Sequence, residues 1–205
     1  MARSLTPLLR DLAEAYPNAR CALTYKSPFE LLIAVMLSAQ CTDERVNKVT
    51  PPLFAKYPDP FAMQNADDLE TMLFSTGHYK VKARHVRDTS RMLVERFHGK
   101  VPQAKEELMA LPGVGQKTAH VLLGELFGAP HIVVDTHVLR LCRRIGISHE
   151  QNPEKLERIL AALVPRKERT HFGHLMITHG RACCRARSPA CAICPIRQRC
   201  ASVAP

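Results

Sequence analysis

The stretch FELLIAVML, Phe29 to Leu37, carries a single charged side chain, Glu30. A helix that is apolar almost all round has no face to offer to water and must be enclosed by other elements. Its start is marked by a capping box, with Ser27 as N-cap, Pro28 at the first helical position and Glu30 three residues after the cap. A chain built round such a helix needs amphipathic helices to wrap it, and the sequence supplies them. Leu5, Leu8, Leu9, Leu12, Ala15 and Tyr16 recur at helical spacing. A second helix is expected from about Lys80 to His98, with Val81, His85, Val86, Met92, Leu93 and Phe97 on one face and Gly99 as its stop. Asn152 and Pro153 open another, whose core face is Leu156, Ile159, Leu160 and Leu163, and Thr170 to His179 reads as one more. No stretch alternates apolar and polar long enough for a sheet. The expected fold is all-α.

The length of 205 residues allows one large domain or two small ones with a real core. No apolar run approaches the roughly 20 residues that span a bilayer, and the N-terminus lacks the continuous apolar stretch of a signal peptide. No membrane association is expected, and a cytoplasmic location is. The net charge of +10 is uneven: residues 131–205 hold 13 Lys and Arg against 5 Asp and Glu, whereas residues 1–130 hold 16 against 14. A basic excess at one end is the electrostatic footprint of a polyanion partner, usually nucleic acid. The helices are interrupted at FGAPHIVVD, residues 127–135, which is the expected domain boundary.

LPGVGQKTA, Leu111 to Ala119, joins a short helix to a longer one running from about Gly115 to Phe127. Gly113 and Gly115 permit positive φ and leave backbone N–H groups uncovered at a helix start, where unpaired amides and the macrodipole favour an anion. Gly113, Val114, Gly115 and Thr118 are therefore expected to grip a DNA phosphate without reading bases. Lys117 lies in the first turn of the second helix, against the helix's positive end, which together with any burial favours the neutral, nucleophilic amine. A plain phosphate-binding lysine fits the hairpin equally well. Asp135, in VVDTHVLRLCRRIG, tips the balance. It is the natural N-cap of a helix whose inner face is Val138, Leu141, Cys142 and Ile145. Held rigidly, a carboxylate there could also accept the lysine's proton or stabilise positive charge on a sugar as a base departs.

RACCRARSPACAICPIRQRC, Arg181 to Cys200, packs five of the eight cysteines into twenty residues with five arginines among them. Cys184, Cys191, Cys194 and Cys200 give C-x6-C-x2-C-x5-C, with Cys183 spare. In a reducing compartment clustered thiols point to metal rather than disulfides, and on chemistry alone zinc and iron–sulfur both remain open. The single C-x2-C pair and the absence of histidine within the run weigh against zinc. Cys21, Cys41 and Cys142 read as small apolar residues, and His85, His120, His171, His174 and His179 as helix-packing ones.

SPFELLIAVMLSAQCTD, LPGVGQKTAHVLL, VDTHVLRLCRR and the terminal cysteine pattern, in that order, closely resemble the endonuclease III family of DNA glycosylase/AP lyases, within the helix-hairpin-helix superfamily. The resemblance covers roughly residues 20–200. It implies two lobes: a six-helix domain containing the hairpin, residues 21–130, and an iron–sulfur cluster domain of residues 1–20 and 131–205, with double-stranded DNA bound in the cleft between them. It implies Lys117 as the Schiff-base lysine, Asp135 as the catalytic aspartate, and Cys184, Cys191, Cys194 and Cys200 as ligands of a structural [4Fe–4S] cluster. Arg181 and Arg197 are expected to offset the cluster's charge, and Arg185 and Arg187 to meet phosphates from the loop between the first two ligands. Gln40 matches the residue that fills the gap left by a flipped nucleotide. His78 stands where the family commonly has a bulky apolar wedge, which implies altered lesion recognition. The implied substrates are damaged pyrimidines, oxidised or ring-saturated, and abasic sites, acted on by a monomer associated with a bacterial nucleoid.

Two rival readings are a non-catalytic DNA-binding protein with a structural cluster, and a glycosylase using water as nucleophile, like the adenine-specific mismatch relatives. The first does not need Lys117 with Asp135. The second lacks a lysine at this hairpin position and carries a further recognition domain, whereas this sequence ends five residues after Cys200.

Overall fold

The computed structural model describes residues 5–203; Met1–Ser4 and Ala204–Pro205, the outermost parts of the expected cluster domain, lie outside the described residues. Among the described residues there are α-helices and short 3-10 turns and no strand. The helices are α1 (Thr6–Ala15), α2 (Pro28–Leu37), α3 (Asp43–Lys56), α4 (Pro60–Met63), α5 (Leu69–Leu73), α6 (Tyr79–Phe97), α7 (Lys105–Ala110), α8 (Gln116–Phe127), α9 (Thr136–Ile145), α10 (Pro153–Leu163) and α11 (Arg169–Ala182). They form two compact units, one of Ala22–Phe127 and the other of the chain up to Cys21 and from Gly128 on.

In the first unit, α2 is enclosed by α3, α6 and α8, and every residue from Leu31 to Leu37 is buried. Ser27 Oγ accepts the Glu30 N–H at 3.2 Å. The Glu30 carboxylate reaches one residue further back than a capping box requires, accepting the Lys26 N–H at 2.6 Å. Burying its Leu, Ile and Val side chains stabilises the unit by roughly 1.5–3 kcal/mol each.

The face of α6 is as expected at Val86 and Leu93 and differs at its start. Val81 is 46% exposed, while Lys82, Ala83, Val86, Thr89, Ser90 and Leu93 are buried. The helix starts from His78 in the left-handed region (φ 48), which sets the phase so that Lys82 points inward. Its ammonium donates to the carbonyls of Leu37 at 2.8 Å and Thr76 at 2.7 Å. Leu37 ends α2 and Thr76 ends a 3-10 turn, so the cation meets carbonyls that their own helices leave without partners, at the negative end of the α2 dipole. The α6 stop takes two residues: His98 (φ 52) and Gly99 (φ 79), with the Gly99 N–H closing onto Leu93 O at 2.9 Å.

The second unit has its own core, built from Leu5, Leu8, Leu9 and Leu12 of the N-terminal segment, Val138, Leu141, Cys142 and Ile145 of α9, Leu156 and Leu160 of α10, and Phe172, Leu175 and Met176 of α11. Asn152 caps α10 as its sequence requires, but Ile159 is 37% exposed and Leu163 only half-buried, so the α10 core stripe is narrower than expected. Ala15 is exposed, and Cys21 and Cys41 are half-buried where burial was expected; Cys142 is buried and its thiol pushed up to about 12 by desolvation. Arg199 pairs with Asp11, tying the C-terminal loop to α1.

Candidate functional site

The hairpin lies between α7 and α8. Leu111 and Val114 are buried and anchor the turn, and Thr89 Oγ1 on α6 donates to Pro112 O at 2.7 Å. Gly113 has φ +79, and a Cβ there would stand 2.7 Å from His85 Nδ1 and 3.0 Å from His85 Cβ. Glycine is thus required twice, by backbone conformation and by the close approach of α6. A Cβ at Gly115 would meet nothing within 4 Å, so the space in front of α8 is open. The first amides of α8 have no intrahelical partners. Lys117 is exposed on this first turn and Thr118 half-buried, so Lys117 does not have the burial its sequence position allowed.

Beside the hairpin lies a cavity of about 290 Å³ lined by Met36, Gln40, His78, Lys82, His85 and Gly113, among others. Three residues expected to meet DNA, Gln40, His78 and Gly113, are therefore gathered at one place in this unit. Gln40 (φ 53) and His78 (φ 48) both occupy the left-handed region, which costs an ordinary L-residue roughly 1–2 kcal/mol. Their side chains are exposed and joined by a 3.2 Å hydrogen bond from His78 Nε2 to Gln40 Oε1. Burial holds the Lys82 ammonium below its ordinary pKa, against a smaller opposing influence of Cys41. Lys82 is not among the residues expected from the sequence to meet DNA.

In the other unit, Asp135 Oδ1 accepts the Val138 N–H at 2.9 Å and caps α9. The helix so fixed carries Arg144, whose Nη1 donates to Cys184 Sγ at 3.4 Å and to Arg185 O at 2.7 Å, while Nη2 donates to Ala186 O at 2.9 Å. Arg140 holds the carbonyls of Gly180 and Cys184. Arg144 and Arg140 thus join Arg181 and Arg197, the arginines expected to offset the cluster's charge, and their helical position gives no hint of a partner some forty residues away. Arg185 and Arg187 are exposed, as phosphate contacts must be. His179, expected to be a packing residue only, is buried with Nδ1 2.9 Å from Tyr16 Oη and Nε2 3.8 Å from Cys194 Sγ. Desolvation lowers its pKa to about 4.

The ligand atoms of His179, Cys183 and Cys194 all lie within 4.8 Å of one another, a set that by itself would suit zinc. The thiol of Cys183, however, is spent on Ala190 O at 3.5 Å and raised to about 11, chiefly by burial. Arg144 instead directs an N–H donor at Cys184, and His179 Nε2 lies beside Cys194, which suits thiolates round a cubane whose net charge is −2.

A model of the iron-sulfur binding domain of endonuclease III matches residues 184–200, beginning at Cys184, ending at Cys200 and leaving Cys183 outside. A model of the HhH-GPD superfamily of base excision DNA repair proteins matches residues 33–166. The chain belongs to that superfamily, as an endonuclease III relative. It is 46% identical to the endonuclease III of Synechocystis sp. over 96% of this chain and 91% of that one. It is 42% identical to that of Escherichia coli K12 over 94% and 92%. Among solved structures, a non-covalent endonuclease III–DNA complex superposes with a TM-score of 0.91 at 42% identity, covering 97% of this chain and 94% of the other. A thermostable thymine-DNA glycosylase shares the fold, with a TM-score of 0.85 at 21% identity. This endonuclease III relative is accordingly a DNA-binding glycosylase/AP lyase of base excision repair, and it carries a [4Fe–4S] cluster. No helix among its described residues is long and apolar enough to cross a membrane.

Proposed function

We propose that this enzyme excises oxidised or ring-saturated pyrimidines from double-stranded DNA and cuts the strand 3′ to the abasic site, with Lys117 as nucleophile. The observation that carries the reading is an exposed lysine on the first turn of α8, beside the open amides that follow Gly115. The hairpin residues Gly113, Val114, Gly115 and Thr118 hold a phosphate, with Arg185 and Arg187 adding charge from the cluster loop. Gln40 and His78 occupy the space vacated by the flipped nucleotide. The Lys117 amine attacks the sugar C1′ and the base leaves with the bonding electrons and a proton. The sugar ring then opens to a protonated imine, and loss of a C2′ proton expels the 3′ phosphate. Only an amine nucleophile gives the iminium that makes this elimination easy. Asp135 takes the carboxylate's part: it accepts the lysine's proton and stabilises charge on the sugar.

Cys184, Cys191, Cys194 and Cys200 hold the cluster, whose contribution when bound is a rigid core for the C-terminal loop and no chemical step. The enzyme acts as a monomer in the bacterial cytoplasm, on nucleoid DNA. Borohydride trapping on abasic-site duplex tests the mechanism. Wild type is expected to be fixed covalently to DNA, and Lys117→Gln to give no adduct and no strand cleavage while still binding. Wild type that cuts the duplex yet leaves no adduct would refute the imine.

A further inference from the structure

Lys82 is a buried charged side chain, and both carbonyls it holds sit two or three residues before residues proposed to enter DNA. Leu37 O precedes Gln40 by three residues, and Thr76 O precedes His78 by two. Gln40 and His78 both adopt left-handed backbone conformations, which persist only where surrounding structure over-determines them. The direct bond between their exposed side chains competes with water and does little to hold them. The Lys82 ammonium is shielded, at 2.7 and 2.8 Å from its two acceptors, and lines the same cavity as Gln40 and His78. One cation thereby fastens the end of α2 to the end of the 3-10 turn before α6.

We propose that Lys82 is a positioning residue for strand opening: its ammonium clamps the segments bearing Gln40 and His78, so that both side chains are presented to the duplex together. The inference rests on the reading of Gln40 and His78 as the gap-filling pair. It accounts for a lysine where an apolar residue would pack more cheaply, since a long side chain with several N–H donors satisfies two converging helix ends at once.

The test uses the cluster-loaded, full-length protein and a duplex with a tetrahydrofuran abasic analogue opposite 2-aminopurine, whose fluorescence reports unstacking of the orphaned base. For Lys82→Met, affinity for this duplex is expected to fall about tenfold, and most of the fluorescence rise to be lost. Affinity for undamaged duplex, and cleavage of single-stranded abasic DNA at saturation, should stay within about twofold, because neither requires a gap to be filled. Lys82→Gln, which keeps two donors on a shorter chain, is expected to fall between and serves if the Met variant does not fold. Equal losses on duplex and single strand would make Lys82 a core brace only, and no loss on either would make it dispensable; both results overturn the proposal. Gln40→Ala and His78→Ala are run alongside. If they leave the fluorescence rise intact, the gap-filling reading fails and takes this inference with it. If they abolish the rise while Lys82→Met preserves it, the inference alone fails.

Discussion

Replacing Gly113 with alanine perturbs the hairpin through two separable effects. At φ +79 an L-residue pays roughly 1–2 kcal/mol for the left-handed conformation. The new methyl would also stand 2.7 Å from His85 Nδ1, 2.9 Å from its Cγ and 3.0 Å from its Cβ. Rotating the ring relieves the first two contacts but not the third, because His85 Cβ is fixed to the α6 backbone. Overpacking of this kind costs roughly 1–3 kcal/mol, so Gly113→Ala is expected to lose roughly 2–5 kcal/mol in all. Urea unfolding gives the total from the shift in midpoint at unchanged slope. His85→Ala added to Gly113→Ala removes the ring and should recover the clash, leaving the conformational cost and the residual Cβ contact. The same displacement tilts the amides at the start of α8, so affinity for undamaged duplex should fall uniformly across sequences. A Gly113→Ala protein within about 0.5 kcal/mol of wild type, with undiminished DNA binding, would refute the close-approach account. A double variant no better than the single would refute the clash alone.

Arg144→Leu strips N–H donors from Cys184 Sγ and from the carbonyls of Arg185 and Ala186, so iron should be lost faster to a chelator, followed by the cluster's visible absorbance. Because burial lowers the Lys82 pKa, the unfolded chain binds more protons than the native one between that lowered value and 10.5. Stability therefore rises with pH across that window, and urea titrations should show wild type gaining on Lys82→Met as the solution is made more alkaline. If His78 fills the gap as proposed, His78→Leu puts apolar volume there and should tighten binding to an abasic-analogue duplex severalfold and alter lesion preference, measured on single-lesion duplexes. Unchanged affinity and preference would show that imidazole serves as well.

What could be read from the sequence was what local chemistry decides. Ser27, Asp135 and Asn152 each cap the helix their position announces, because a cap needs only its own next few amides. The α9 face of Val138, Leu141, Cys142 and Ile145 is buried throughout, since its periodicity is unbroken and its start is pinned by Asp135. Where the start of a helix hangs on a backbone conformation, the phase was lost: with His78 in the left-handed region, α6 turns Val81 outward and Lys82 inward. Contacts between distant segments left still less trace. Arg144 meets the thiol of Cys184, and His179 stands between Tyr16 and Cys194, through packing that no spacing rule encodes. Lys82 shows what signal could have been used. A helix as apolar as α2 ends with carbonyls facing the interior, and buried carbonyls require donors. With no polar residue inside α2 after Glu30, the donor had to come from elsewhere, and a lysine set among otherwise core-facing positions of α6 was the group able to reach. The burial of one helix end thus places a charge in the wall of the cavity beside Gln40 and His78, where a demand of packing sets the chemistry of the cavity lining.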